Sequence, residues 1–139
     1  MDRDLIEAKL EFVRHCVERI AVKTPSSADQ LARDPDLQDI IALNLQRAVQ
    51  LCVDLAAHLI ADTEARPPST MSKNFEILKQ LKIISPALAE RMMKAVGFRN
   101  IAVHSYQEID RSIVFQICRH HIGDFKQFAE AVAHRLDRS

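Results

Sequence analysis

The chain has 139 residues, 47% of them hydrophobic, and its 19 basic and 19 acidic side chains cancel to zero formal charge. That length and apolar content suit one domain over residues 1–139 with a real core, and the balance gives no global electrostatic reason to expect nucleic-acid binding. Only two glycines occur, Gly97 and Gly123, and tryptophan is absent. A β-rich fold would spend more glycine on tight turns, so the composition points to an all-α, antiparallel bundle of four to five helices.

Taken in chain order, the first helix is expected over Asp4 to Val22, with Ile6, Leu10, Val13, Val17 and Ile20 on one buried stripe. Thr24-Pro25-Ser26-Ser27 ends it, and a short helical turn fits Ala28 to Arg33. Asp34-Pro35 pairs an N-cap with a first-turn proline and opens a second helix that continues to about Ala61. Its apolar seam is Ile41, Leu45, Ala48, Cys52, Leu55 and Leu59. After the Arg66-Pro67-Pro68-Ser69 break, a third helix covers Ser72 to Leu81. Ser85-Pro86 opens the fourth, which reaches about Ser105. Asp110 caps a fifth that continues to Leu136, with Ile113, Ile117, His121, Phe125, Phe128 and Val132 on one face.

Cys16, Cys52 and Cys118 form no CxxC pair and read as small buried hydrophobes of a reducing compartment. No N-terminal stretch resembles a signal peptide and no run reads as a membrane span, so a cytoplasmic location without membrane contact is expected.

Charge is uneven along the chain. Residues 1–71 carry 8 Lys and Arg against 12 Asp and Glu, residues 72–106 carry 6 against 2, and residues 107–139 carry 5 of each. The basic excess surrounds one chemically loaded segment, Arg99-Asn100-Ile101-Ala102-Val103-His104-Ser105-Tyr106. On the fourth helix, Leu88, Met92, Ala95, Arg99, Ala102 and Tyr106 form a heptad-like stripe, and Arg99 stands where an apolar residue is expected. A guanidinium on such a seam needs a carboxylate, a phosphate or water. Gly97 is costly inside a helix, which suggests close backbone approach.

Asn100 and His104 share a second face, whereas Arg99 and His104 lie roughly 140° apart around the axis. One chain does not converge them on a ligand. Two copies packed about a twofold axis would, which favours a homodimer with a composite site. Arginine clamps phosphate, histidine shuttles protons near neutral pH, and RNA supplies its own 2′-hydroxyl nucleophile. That set suffices for metal-independent transesterification ending in a 2′,3′-cyclic phosphate. The structural alternative pairs Arg99 with an acidic residue, makes His104 a satisfied core histidine and Tyr106 a core-edge aromatic.

The same residues carry a resemblance. Phe98-Arg99-Asn100 followed by Val103-His104-Ser105-Tyr106 resembles the Arg-x4-His-x-Tyr signature of HepT-like toxins in the HEPN superfamily. The run-up from Asn74-Phe75-Glu76-Ile77-Leu78 through Pro86, Leu88-Ala89-Glu90-Arg91 and Gly97 is similar too, as are Gln46-Arg47-Ala48-Val49-Gln50-Leu51 and Asp54-Leu55. The resemblance implies a dimeric HEPN-like fold with paired motif helices lining an RNA-cleaving groove. It implies Arg99 and His104 as the catalytic pair, and Asn100 as the polar residue that follows the arginine. Tyr106 matches a tyrosine that a cognate minimal nucleotidyltransferase antitoxin modifies with AMP. Ser105 stands where glutamate is frequent, at the variable position of the signature.

Arg47, Gln50, Asp54 and His58 form a polar stripe on the second helix. It reads either as a second wall of the groove, with Asp54 orienting Arg99, or as a solvated face with an Asp54–His58 pair. Lys79, Lys82, Arg91 and Lys94 would steer RNA or simply keep the chain soluble. His120 and His121 point about 100° apart and cannot chelate together, and Glu130 with His134 makes at most a weak pair, so no metal and no cofactor are expected.

The sequence-based expectation is therefore a toxin-type endoribonuclease acting on RNA, tRNA or mRNA, with a nucleotidyltransferase antitoxin as partner in a homodimer or larger hetero-oligomer. Two alternatives stay open. One is a non-catalytic nucleotide- or protein-binding module whose tyrosine its partner modifies. The other is a plain structural bundle.

Overall fold

The structure, a computed structural model, describes residues 2–138. Its elements are α1 (Arg3–Lys23), α2 (Ala28–Arg33), α3 (Pro35–Ala61), α4 (Met71–Gln80), α5 (Pro86–His104), a 3-10 turn (Tyr106–Glu108), α6 (Arg111–His120) and α7 (Gly123–Arg138). Among the described residues there is no strand, and the all-helical expectation holds.

The caps act where the sequence places them. Asp34 accepts from the Leu37 N–H with Pro35 in the first turn of α3, and Ser85 accepts from the Leu88 N–H with Pro86 opening α5. Asp2, Ser27, Thr70 and Asp110 do the same for α1, α2, α4 and α6. The end of α4 is a Schellman closure: Ile83 N–H donates to Leu78 O, and Lys82 N–H donates to Lys79 O. Lys82 there sits at φ 60°, a left-handed position usually given to glycine.

Helix α3 is the axis of the molecule. Its whole predicted seam is buried, and Ala42, Val49, Val53, Ala56 and Ile60 are buried beside it. It packs against α1, α4, α5 and α7. One contiguous core runs from Ile6 on α1 to Leu136 on α7, with Phe75 and Phe128 meeting edge to face at 5.4 Å. This apolar wealth corrects the reading that no run is long enough to span a membrane. Pro35–Ala61 contains an 18-residue window of mean hydropathy 1.3, and 56% of that window is buried inside the bundle. It is long and apolar because it is wrapped by neighbours on several sides.

Two further expectations are corrected. The last helix is broken at His121–Ile122, because α6 packs on α2 while α7 packs on α1, α3 and α5. A bend ahead of Gly123 lets consecutive segments serve different partners. The core face of α6 also differs: Val114 and Cys118 are buried, whereas Ile113 is 55% exposed. Ile113, Ile117 and His121 instead line an apolar groove of about 450 Å³ with Val49, Lys94 and Phe98. Phe125, Phe128 and Val132 are buried as expected. All three cysteines are free and buried, and burial pushes their thiols above the ordinary range.

Lys82→Gly is expected to stabilise the chain by about 1 kcal/mol, because the left-handed penalty for a side chain outweighs the added freedom of unfolded glycine. Urea unfolding of the two proteins measures it; a destabilised glycine variant would mean that the Lys82 side chain makes compensating contacts.

Candidate active site

Arg99 lies five residues before the end of α5, between Ala95 and Ala102 on the stripe that faces the bundle. Small neighbours leave room for its stem, and the half-buried side chain reaches across to α3. Nη2 donates to Gln50 Oε1 at 3.3 Å, and Nη1 donates to Asn100 Oδ1 at 3.2 Å. Gln50 Nε2 in turn donates to Asp54 Oδ1 at 3.0 Å, and Lys9 Nζ on α1 lies 3.5 Å from Asp54 Oδ2. A polar relay thus ties α5 to α3 and α3 to α1.

The order of partners matters. Both groups that orient Arg99 are neutral amides, and no carboxylate stands within ion-pair distance of it among the described residues. Asp54 reaches the guanidinium only through Gln50, so the expectation that Asp54 orients Arg99 is corrected to an indirect one. The alternative Asp54–His58 pair is not formed either; Asp54 is engaged by Lys9 and Gln50. Arg99 is held in direction while its charge stays free for an anion.

His104 is the last residue of α5 and is exposed. It makes no hydrogen bond with Arg99, as the helical geometry requires for a single chain. Asn100 is exposed between them on the helix surface, with its carbonyl oxygen turned to Arg99. Ile101 and Val103, 49% and 43% exposed, precede it on the same helix. Gly97 is exposed too, and a Cβ built there would meet nothing within 4 Å, so close approach inside the chain is not the reason for that glycine.

Past His104 the backbone leaves the helix at Ser105, with φ −144° and ψ 47°, and Tyr106 opens the 3-10 turn. The Tyr106 hydroxyl donates to Asp39 Oδ1 on α3 at 2.5 Å, and the Arg111 guanidinium at the start of α6 lies 5.0 Å from the ring centre. Burial, with Asp39 adding to it, holds the phenol above its ordinary pKa, against the pull of Arg111. Sequence reasoning missed Gln50 as the direct partner of Arg99, although it stands on the singled-out stripe. It also missed Arg111, nearby in the sequence, and Asp39, which only the folded chain brings to the tyrosine.

Other candidates fall outside the site. Arg91 donates to Asp124 and Gln127 on α7, each at 2.8 Å, so it ties α5 to α7 and is not free to steer RNA. Lys94 pairs with Glu90 at 3.6 Å, and His121 Nδ1 lies 3.5 Å from Asp124. No group of three or more His, Cys, Asp or Glu side chains converges among the described residues.

A helical bundle with this Arg-x4-His-x-Tyr segment at the end of a core helix defines the class of HEPN-type ribonucleases. The chain belongs to the ribonuclease HepT-like family, which it matches over residues 13–132. It is 36% identical over 129 residues to the mRNA nuclease HepT of Shewanella oneidensis, covering 93% of this chain and 96% of that protein. It is 27% identical over 111 residues to the tRNA nuclease HepT of Aphanizomenon flos-aquae, covering 80% of this chain and 76% of that protein. The solved structure of the tri-AMPylated Shewanella oneidensis HEPN toxin in complex with MNT antitoxin superposes with a TM-score of 0.89 at 35% identity, covering 95% of this chain and 98% of that one.

Gln50→Met keeps the size of the side chain but removes the acceptor that aims Arg99. Ribonuclease activity is expected to fall about tenfold, the scale of one hydrogen bond to a charged group, with stability changed by less than about 1 kcal/mol. Turnover of labelled RNA beside a thermal melt checks both; unchanged turnover would show that Gln50 does not position Arg99.

Proposed function

We propose that this chain, acting as one domain in the cytoplasm, is the toxin of a toxin–antitoxin pair and cleaves RNA without a metal. Arg99 holds the scissile phosphate. The neighbouring 2′-hydroxyl attacks phosphorus, the bond to the 5′-oxygen breaks, and a 2′,3′-cyclic phosphate and a 5′-hydroxyl result. His104 moves the proton between the two oxygens, and Asn100 keeps Arg99 aimed. Asp54 supports that aim through Gln50. The observation that carries the reading is the Arg99 guanidinium, oriented by two neutral amide oxygens and left without a carboxylate. A pair of fixed donors with unspent charge favours an anion whose charge grows in the transition state.

The separation of Arg99 from His104 supports a composite site. Gly97, Ile101 and His104 recur at i, i+4 and i+7 on the outer side of α5, and all three are exposed. A twofold copy laid along that face would cover Ile101, use the open space over Gly97 for close helix approach, and bring the two motif helix ends into one cleft. Tyr106, at the mouth of the same helix end, contacts substrate and is the control point. A nucleotidyltransferase antitoxin would attach AMP there, adding bulk and negative charge that repel RNA. The relatives support this reading: one is named as an mRNA nuclease, another as a tRNA nuclease, and the solved Shewanella oneidensis HEPN toxin is seen AMPylated with its antitoxin.

Labelled tRNA incubated with the chain in excess EDTA tests the chemistry. Wild type is expected to cleave, and Arg99→Ala and His104→Ala to lose at least about 100-fold each, the usual scale for a charge stabiliser or a proton shuttle. Undiminished cleavage by both variants removes the assignment of Arg99 and His104, and no cleavage by the wild type leaves the non-catalytic module. Gly97→Leu tests the interface separately. It should lower both the dimer fraction in sedimentation velocity and the cleavage rate; a fully dimeric, fully active variant would place the twofold contact elsewhere.

A further inference from the structure

The surroundings of the Tyr106 hydroxyl exceed what a surface aromatic needs. Two parts of the chain distant in sequence meet there: Asp39 from the first turns of α3, and Tyr106 of the 3-10 turn together with Arg111 at the nearby start of α6. The hydroxyl gives its proton to a carboxylate oxygen at 2.5 Å, and a guanidinium rests 5.0 Å from the ring centre. Asp39 is exposed, and Tyr106 and Arg111 are only half-buried, so a second protein can reach the oxygen. A phenol is a weak nucleophile near neutral pH because it holds its proton. Activation calls for an adjacent base, and an incoming phosphoryl group calls for a cation.

We propose that this chain carries its own acceptor site for nucleotidyl transfer, with Asp39 as the proton acceptor of Tyr106 and Arg111 as the clamp for the transferred phosphoryl group. The proposal rests on Tyr106 being the modified residue. The co-reactant is a nucleoside triphosphate with its divalent cation, presented by the nucleotidyltransferase partner. Tyr106 Oη attacks the α-phosphorus and the Oη–P bond forms. The bond from the α-phosphorus to the bridging oxygen breaks, and pyrophosphate leaves with the electron pair. The phenolic proton passes to Asp39 Oδ1, along the hydrogen bond already made. Arg111 then faces the single negative charge of the new phosphodiester.

The raised phenol pKa agrees with this geometry. A neutral phenol held by a carboxylate is inert until the oxygen begins to bond to phosphorus. As that bond forms, the phenol becomes strongly acidic and the same carboxylate receives the proton. A free Tyr106 would lack both the acceptor and the fixed direction of its hydroxyl. The simpler role for Asp39, anchoring the 3-10 turn, requires a hydrogen-bond acceptor but not a base. The two roles separate on substitution by asparagine, which accepts a hydrogen bond through its amide oxygen but does not take the proton.

The test is AMP transfer to the full chain by its nucleotidyltransferase partner with magnesium and ATP, followed by intact mass and by peptide mapping of Tyr106. Wild type is expected to gain AMP on Tyr106. Asp39→Asn should lower kcat for transfer on the order of 100-fold, the usual contribution of a general base, with KM for ATP unchanged. Asp39→Glu should recover much of the loss, because a carboxylate is restored at an exposed position. Arg111→Gln should slow transfer while the thermal melt stays at the wild-type value. Transfer to Asp39→Asn at the wild-type rate overturns the base assignment but leaves Tyr106 as control point. Equal loss in Asp39→Asn and Asp39→Glu overturns it as well, since the carboxylate would then be only structural. AMP absent from Tyr106 of the wild type overturns both the control reading and this one.

Discussion

The constraint on which the site depends is the lateral contact of α5 with α3 at Arg99 and Gln50. A guanidinium at a helix contact face costs stability unless its donors are matched. Here two amide oxygens match them, and neither brings a negative charge. Had Asp54 taken the place of Gln50, the likeness to an ordinary interhelical ion pair would be complete and the charge would be cancelled. The register of α3 sets this outcome: Gln50 and Asp54 are one turn apart, and Asp54 is drawn to Lys9 of α1. Packing of α1 on α3 thereby bears on the electrostatics of α5.

Much of the fold was legible because its boundaries are written in local chemistry. Asp34-Pro35 and Ser85-Pro86 state where α3 and α5 begin, and each cap accepts the backbone N–H its spacing requires. The α3 seam was legible for the same reason, since a 3.6-residue period is a property of the segment itself. The break at His121–Ile122 was not, because its cause is which neighbours α6 and α7 meet. The two apolar faces of α6 show the limit of periodicity. Val114 with Cys118 and Ile113 with Ile117 both fit a helix period, and only tertiary packing selects the first pair for the core.

The candidate site divides along the same line. Arg99, Asn100, His104 and Tyr106 fall within eight residues, so spacing and residue type single them out. Their partners do not: Gln50 is 49 positions from Arg99 and Asp39 is 67 positions from Tyr106. A carboxylate near the start of a helix reads as a favourable charge at the positive end of the dipole, and Asp39 carries no further mark in the sequence. Gly97 is the reverse case. The sequence flags it correctly as unusual inside a helix, yet the single chain supplies no contact that needs it.

On the proposed reading, the end of α5 serves two chemistries that must not interfere. The turn at Ser105 separates them: the helix presents His104 outward, and the irregular backbone swings the next aromatic back against α3 and α6. While Tyr106 is unmodified, its proton binds it to Asp39 and the ring is held beside the bundle. On the proposed reading, an esterified Tyr106 oxygen has no proton to donate. Asp39 then faces a phosphodiester anion instead of a hydroxyl, and like charges repel at close range. The modified side chain loses its tether to α3 as it gains bulk, and Arg111 is the cation left to receive it. One covalent change would so convert a side chain parked against the bundle into a charged obstacle beside the helix end that carries His104. The local arrangement accounts for that conversion without any rearrangement of the core.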